Sequence, residues 1–305
     1  MRIAIDMQGA QGAGRHRGIG RYTLALAEGL IRVNTDHEIV LVLNGQFPES
    51  VSWLTSHFEK GLQHKNIHVW TAPGPVDFLS GSNNAWRREA AEIVREAFLA
   101  DIDPDVVLVS SMIEGIGDNC VTSIGKFQKK PKVAAIVYDF IYLLYPDIYL
   151  ANPLVRRWYT EKLGHLKNAD LFLSISESSR REAIQCAQIP AEKIFNISTA
   201  VDPKFSPSLA EPAVVEALLG KIGISKPFVF YCGGSDARKN LGRLVSAYSG
   251  LPKPLRDSHQ LLIVGTIPAQ DILALKEHGK KTGLSASELV VSGFLDDDAI
   301  IALYS

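Results

Sequence analysis

Cysteine is scarce in this chain. Cys120, Cys186 and Cys232 stand far apart in 305 residues, which excludes a disulfide framework and a zinc cluster. Scattered thiols of this kind fit a reducing compartment. Long apolar runs are missing as well. Runs such as 133–138 and 261–265 fall far short of the roughly 18 residues that a membrane-spanning helix needs. No charged segment followed by an apolar one opens the chain. Arg2-Ile3-Ala4-Ile5-Asp6 reads at once as a strand, so no secretory signal is expected. An excess of one charge is also absent: 32 Lys plus Arg face 33 Asp plus Glu, a net charge of −1. Wrapping a nucleic-acid backbone takes a basic excess, so no nucleic-acid partner is expected. No Gly-x-x-x-x-Gly-Lys-Ser/Thr loop occurs, which argues against an ATPase of that type. These absences point to a cytoplasmic protein and leave open a peripheral contact at the inner face of a membrane.

What is present is an alternation. Short apolar runs at 2–6, 38–43, 67–70, 105–110, 132–138, 171–175, 194–197, 228–232, 260–264 and 289–291 read as strands. Several are rich in Val and Ile at both parities, as in strands buried on both faces. Between them, 19–33, 83–100, 153–168, 177–187, 211–220, 240–249, 269–282 and 297–304 read as helices. Such a β-α alternation predicts an α/β fold of parallel sheets with helices on both faces. The strands are too many for one modest sheet. The stretch 199–210 carries two prolines and little periodicity, so it reads as a break. We therefore expect a Rossmann-like domain over 1–205 and the start of a second over 206–305. Three strands alone would leave that second domain with an open edge and half a core. The expectation is an incomplete domain belonging to a longer protein, without transfer activity of its own.

Two glycine-rich turns stand out. Gly9, Gly12, Gly14, Gly18 and Gly20 follow the first strand and lead into helix 19–33. Glycines let backbone approach a ligand, and helix N-terminal amides suit a phosphate. A plain flexible loop has the same composition. A nicotinamide site is opposed by the second strand's ending in Asn44-Gly45 rather than an acid. The second turn, Gly233-Gly234-Ser235-Asp236-Ala237-Arg238-Lys239-Asn240, follows strand 228–232. Two cations at a helix start oppose its dipole unless an anion arrives. A solvated pair is the plain alternative.

Val137-Tyr138-Asp139-Phe140 ends a buried strand in polar residues, at the edge where α/β proteins collect ligands. Asp139 could orient a sugar hydroxyl or stabilise developing positive charge. It could equally cap the next turn. Asp101-x-Asp103 lies at the wrong strand edge for catalysis, and Asp296 to Asp298 read as a helix cap. No residue is assigned to a metal. Lys126, Lys129, Lys130 and Lys132 form a small basic loop, usually solvated, with a lipid-headgroup contact as the other reading.

Four segments occur in order: Gly18-Ile-Gly-Arg-Tyr22, Tyr138-Asp139-Phe-Ile-Tyr-Leu-Leu-Tyr-Pro146, Ser174-Ile-Ser-Glu-Ser-Ser-Arg-Arg181 and Gly233-Gly-x-x-x-Arg-Lys-Asn240. Together they resemble the family-4 retaining glycosyltransferases of the GT-B fold, in particular bacterial mannosyltransferases of O-antigen and other surface polysaccharides. The resemblance runs from the first strand to Leu295. It implies two facing Rossmann-like domains with a cleft between them, and a nucleotide-sugar donor held mainly by the second. It also implies a glycan or lipid-linked oligosaccharide acceptor and no separate cofactor. GDP-mannose is the first donor to test.

By the same resemblance, Gly18, with Gly20 beside it, lets the donor diphosphate approach. Arg238 and Lys239 neutralise that diphosphate without an Asp-x-Asp metal. The backbone of Gly293-Phe294-Leu295 lies against the nucleobase. Tyr138 and Asp139 stand where many members carry His-Asp near the transferred sugar, so Asp139 is the catalytic candidate. Gly234 stands near a position where many members carry a further Arg. The acidic Glu-x7-Glu motif of the family has no counterpart within the chain. A nucleotide-sugar-binding module without transfer activity is the alternative function.

Overall fold

The computed structural model describes residues 1–81, 84–127, 131–206 and 211–305. They divide into two units, Met1–Ala200 and Val201–Ser305, where the sequence had suggested a break a few residues later.

Unit 1 is built on seven parallel strands: β1 (Arg2–Asp6), β2 (Glu38–Asn44), β3 (Ile67–Trp70), β4 (Val106–Val109), β5 (Lys132–Val137), β6 (Leu171–Ser174) and β7 (Ile194–Asn196). Their spatial order is β3-β2-β1-β4-β5-β6-β7. The order reverses between β1 and β4, where the register sets Ile3 against Val106 and Asp6 against Val109. Strand parity explains the two faces. Ala4, Val40, Val107 and Ala135 enter one core cluster, while Ile5, Leu41, Leu108 and Ile136 enter the other. Helices α1 (Gly18–Val33) and α2 (Pro48–Phe58) cover the second face through Ala27, Leu54 and Phe58. Helix α3 (Ala85–Asp101) covers the first through Ala91 and Leu99. The chain then runs through two short helices, α4 (Ile141–Leu144) and α5 (Pro146–Tyr149), into α6 (Pro153–Leu166) and α7 (Glu177–Ala187). Those last two add Leu166, Ala183 and Ala187 to the same face.

Sequence periodicity left α2 unassigned. Its signals were Pro48 at the first turn and buried Ser50, Leu54 and Phe58 at four-residue spacing.

Unit 2 opens with α8 (Pro212–Ile222) and holds β8 (Phe228–Cys232), β9 (Gln260–Val264) and β10 (Leu289–Gly293), all parallel, in the order β10-β9-β8. Central β9 is buried throughout. Leu261 and Ile263 face α9 (Leu241–Ser249) and α11 (Ala269–Lys281), and Leu262 and Val264 face α8 and α12 (Asp297–Tyr304). A short α10 (Lys253–Ser258) precedes β9. The side chain of Asp296 accepts a hydrogen bond from Ala299 N at 2.9 Å, capping α12 as the acids at its start suggested.

One buried ion pair organises the end of β1. Asp6 and Arg95 of α3 are both about 1% exposed. Arg95 Nε donates to Asp6 Oδ2 at 3.0 Å, its Nη2 donates to the same oxygen, and its Nη1 donates to Ser123 O at 3.0 Å. Arg95→Leu leaves the Asp6 carboxylate buried without its cation, a loss that typically costs about 3–5 kcal/mol. Urea denaturation of the variant should show that loss. An unchanged midpoint would mean that the pair is dispensable.

Candidate functional site

Each unit presents a polar rim at the carboxyl ends of its strands. In unit 1 the loop after β1 crosses the point where strand order reverses, the usual place for a ligand in such sheets. The glycines there divide into two sets. A Cβ on Gly9 would lie 2.6 Å from Thr23 Oγ1, one on Gly12 would lie 2.5 Å from Cys120 Sγ, and one on Gly20 would lie 2.1 Å from Arg15 O. These three are required by the loop's own packing. Gly14 and Gly18 face open space. Gly18 is the first residue of α1, whose first turn has no acid and whose N-cap, Arg17, makes no side-chain bond. The amides at that end are therefore available to an anion.

At the end of β5, Tyr138 is half-buried. Its hydroxyl donates to Ser110 O at 3.0 Å, and its ring meets Tyr22 edge-on at 5.7 Å. Burial pushes its phenol well above the ordinary value. Asp139 is exposed, and its Oδ1 accepts from Ile141 N at 3.2 Å. It thus caps the turn at α4. The plain role suggested for Asp139, a cap on the next turn, is filled, while the residue as a whole stays exposed.

After β4 the rim carries a residue that the sequence motifs did not single out. Glu114 Oε1 accepts from Ser111 Oγ at 2.7 Å. Burial, with Asp118 nearby, pushes its carboxyl up to about 7, opposed by Ser111 and Lys162. The signal was the polar run Ser110-Ser111 ending a buried strand, the same pattern that brought out Asp139.

In unit 2, three strand ends meet through backbone. Gly233 N donates to Val264 O and Gly265 N donates to Gly293 O, each at 2.9 Å. Gly265 has φ +152°, and a Cβ there would fall 1.8 Å from Gly233 O. Gly234 faces open space. The two cations do not sit on the first turn of a helix, as the sequence suggested. Ala237–Lys239 forms a separate 3-10 turn, because Asp236 caps it through Arg238 N and Asn240, at φ 52°, breaks it from α9. Arg238 Nε donates to Asp236 Oδ1 at 2.8 Å. Lys239 is exposed, with no side-chain partner among the described residues. Phe294 is 68% exposed, whereas Leu295 turns into the core beside Val264 and Ile300. Any contact of Leu295 with a ligand would run through its backbone.

Other clusters are structural. Glu92, Glu161 and His165 bring oxygen and nitrogen atoms together like a metal donor set. Two ammonium groups already serve that carboxylate: Lys162 Nζ lies 3.4 Å from Glu92 Oε1 and Lys126 Nζ 3.5 Å from Oε2. Lys126 is thus engaged inside unit 1, and Lys132 lies 3.5 Å from Asp170. Lys129 and Lys130 lie outside the described residues. His64 and His68 are four apart, but they fall on a 3-10 turn and on β3, not on one helix face. Among the described residues no helix is long and apolar enough to cross a membrane.

The model of the glycosyltransferase family 4 matches residues 16–205. The chain belongs to that family. It is similar to the serotype-specific mannosyltransferase WbdA of Escherichia coli, at 30% identity over 306 aligned positions, covering all of this chain and 36% of that protein. It is 29% identical over 159 positions to the O-antigen chain mannosyltransferase B of the same organism, covering 50% of this chain and 40% of the relative. The chain spans about a third of the length of the WbdA proteins it matches.

Among solved structures, WaaG, a glycosyltransferase of lipopolysaccharide biosynthesis, superposes with a TM-score of 0.59 at 14% identity, covering 99% of this chain and 72% of that one. Anabaena Alr3699/HepE in complex with UDP gives 0.58 at 17%, covering 99% and 71%. At such identities the likeness is one of fold, and that fold is GT-B.

Two outcomes test this account of a family 4 rim. Gly20→Ala should destabilise unit 1 by about 1–3 kcal/mol through overpacking against Arg15, while Gly18→Ala should leave the melting temperature within a degree or so. Glu114 carries the second. The folded chain keeps its proton between the ordinary carboxyl value and about 7, a range in which the unfolded chain releases it. Stability therefore falls as pH rises through that window, by up to about 3 kcal/mol. Glu114→Gln should remove the loss, so its advantage over the unaltered chain should grow from pH 4 to pH 8. Parallel denaturation curves at both pH values would contradict the burial argument.

Proposed function

We propose that the chain is the catalytic part, or a portion of it, of a retaining glycosyltransferase. It moves a sugar, mannose, from a nucleotide-sugar donor such as GDP-mannose to a glycan or lipid-linked acceptor in cell-surface polysaccharide synthesis. The observation that carries this reading is the similarity to WbdA across the whole chain. The exposed Arg238-Lys239 turn beside open Gly234 supports the donor side.

The chemistry asks for positive charge at one place. The bond from the anomeric carbon to the diphosphate breaks, the sugar passes through an oxocarbenium-like state, and negative charge builds on the leaving diphosphate. The acceptor hydroxyl forms the new glycosidic bond and passes its proton to the departing diphosphate oxygen. Groups aimed in advance at the growing charge lower the barrier without reorganising. Lys239 can offer three N–H donors. Arg238 can turn its fork from Asp236 to the phosphate. The bare N-terminus of α1 and the open space at Gly18 give unit 1 a second anion-suited place. Exposed Phe294 offers an apolar face for a nucleobase. Asp139 keeps one oxygen for a sugar hydroxyl.

Incubation with GDP-mannose and mannose-terminated acceptors tests the activity. In the full-length protein, Lys239→Ala should lower kcat/KM for the donor roughly ten- to a hundredfold, the scale of a charge-assisted hydrogen bond. Gly18→Val should cripple donor use while the fold survives, since nothing of the protein occupies that space. Release of GDP at the rate of the unaltered protein by both variants would sink the donor assignment. Nucleotide-sugar binding without any transfer would favour a binding module.

A further inference from the structure

Helix α3 is turned inside out. Its charged residues Arg88, Glu92, Arg95 and Glu96 are buried in unit 1, where they meet β1, α6 and the segment after residue 120. Its opposite face carries Trp86 at 63% exposure, Ile93 at 43% and Val94 at 41%, with exposed Ala90 and half-buried Ala97. An ordinary surface helix hides such a stripe and shows its charges. One exposed apolar side chain needs no explanation, but a stripe along about three turns marks a contact.

The stripe fits a copy of itself. Trp86, Ala90, Ile93 and Ala97 are spaced by four, three and four residues, the a/d spacing of a helix-to-helix seam. Bulky residues hold one of those positions and alanines the other. Let two copies of α3 run antiparallel about a two-fold axis that passes between Ala91 and Glu92. Trp86 of each copy then falls opposite Ala97 of the other, and Ile93 opposite Ala90. Every large side chain meets a small one, as interdigitated layers require. The same patch serves on both sides, which is what a two-fold contact demands. No charge sits in the seam. The charges flanking it, half-buried Arg87 and exposed Glu89, are of opposite sign.

A lipid surface suits the helix less well. Helices that lie on membranes flank their apolar face with Lys and Arg, whereas Arg88 and Arg95 are buried within unit 1. The stripe offers on the order of 400 Å² per copy, about 800 Å² per pair, against roughly 1,200–2,000 Å² for a stable interface. The contact it supports is therefore weak, with a Kd on the order of 10–100 µM.

We propose that α3 is a self-association surface, through which two copies of this chain form a reversible antiparallel dimer. The contact belongs to unit 1 and does not depend on the transferase reading. Helix α3 returns the chain from the carboxyl end of β3 to the amino end of β4. Antiparallel pairing therefore points the two polar rims in opposite directions.

Sedimentation velocity of the 305-residue chain from about 5 to about 500 µM tests this. The average mass should rise from one chain towards two across that range. Ile93→Asp should raise the dissociation constant at least about tenfold, and its melting curve should stay in place because the side chain is exposed. An exchange of sizes separates a specific seam from a merely sticky patch. Trp86→Ala and Ala97→Trp should each weaken the dimer about tenfold, and the double variant, which again sets Trp against Ala, should return to within about threefold of the unaltered chain. Melting curves check the fold of each variant. A chain that stays monomeric throughout, a dimer that Ile93→Asp leaves intact, or a double variant no better than the two singles overturns the proposal. So does a monomer that floats with phosphatidylcholine–phosphatidylglycerol vesicles and is released by Ile93→Asp, since the stripe then serves a membrane.

Discussion

A single buried negative charge sets the geometry of unit 1. Asp6 ends β1, the strand at which the sheet reverses its order. Besides Arg95, its carboxylate accepts from Gln8 N and Gln8 Nε2, both at 3.2 Å. The Gln8 amide passes the constraint on. Its oxygen accepts from Val121 N at 2.7 Å and from Asn44 Nδ2 at 2.9 Å, and its nitrogen donates to Val121 O at 2.6 Å. One carboxylate thereby locks the ends of β1 and β2, the first loop, helix α3 and the loop around residue 121. A buried network of this kind tolerates few alternatives, because each unmade bond leaves a costly orphan.

Helix α3 extends the same logic with three residues on one face. Arg95 reaches Asp6. Glu96 accepts from Ser123 Oγ at 2.6 Å and from Lys126 N and Phe127 N at 2.8 Å. Glu92 meets Lys162, whose ammonium also donates to Thr122 O at 2.5 Å. Burial pushes Lys162 below its ordinary value, and Glu92 holds it up. Residues 120–127 are therefore fastened by charges from two helices. The loop between β4 and this segment, with Glu114 at its crest, inherits that rigidity. Preorganisation of the rim is a consequence of charge buried beneath it.

The two units treat glycine differently. In unit 1 Gly9, Gly12 and Gly20 serve internal packing, while Gly14 and Gly18 are left open. In unit 2 Gly265 lets two strand ends touch through backbone, and Gly234 keeps space beside the cations. A glycosyltransferase needs both: a firm frame and a place where phosphate oxygens can come close to backbone and cation alike.

The ten strands and most helices were legible in the sequence, because strands buried on two faces are apolar at both parities and amphipathic helices repeat every three to four residues. The four ordered motifs were enough to name the family. Local pattern also yielded the Asp296 cap and the Arg238-Lys239 turn. It could not distinguish Gly20 from Gly18, since only the path of Arg15 shows which one faces protein. It could not show Asp236 and Asn240 cutting the cations away from α9, nor pair Asp6 with Arg95 across 89 residues. Glu114 depended on tertiary structure most of all. Burial raises its carboxyl first, Ser111 and Lys162 oppose and Asp118 adds, and these surroundings converge only once β4, β5 and α6 are in place. Sequence determines what each short segment can do alone; desolvation and long-range charge pairing exist only after the chain has closed around them.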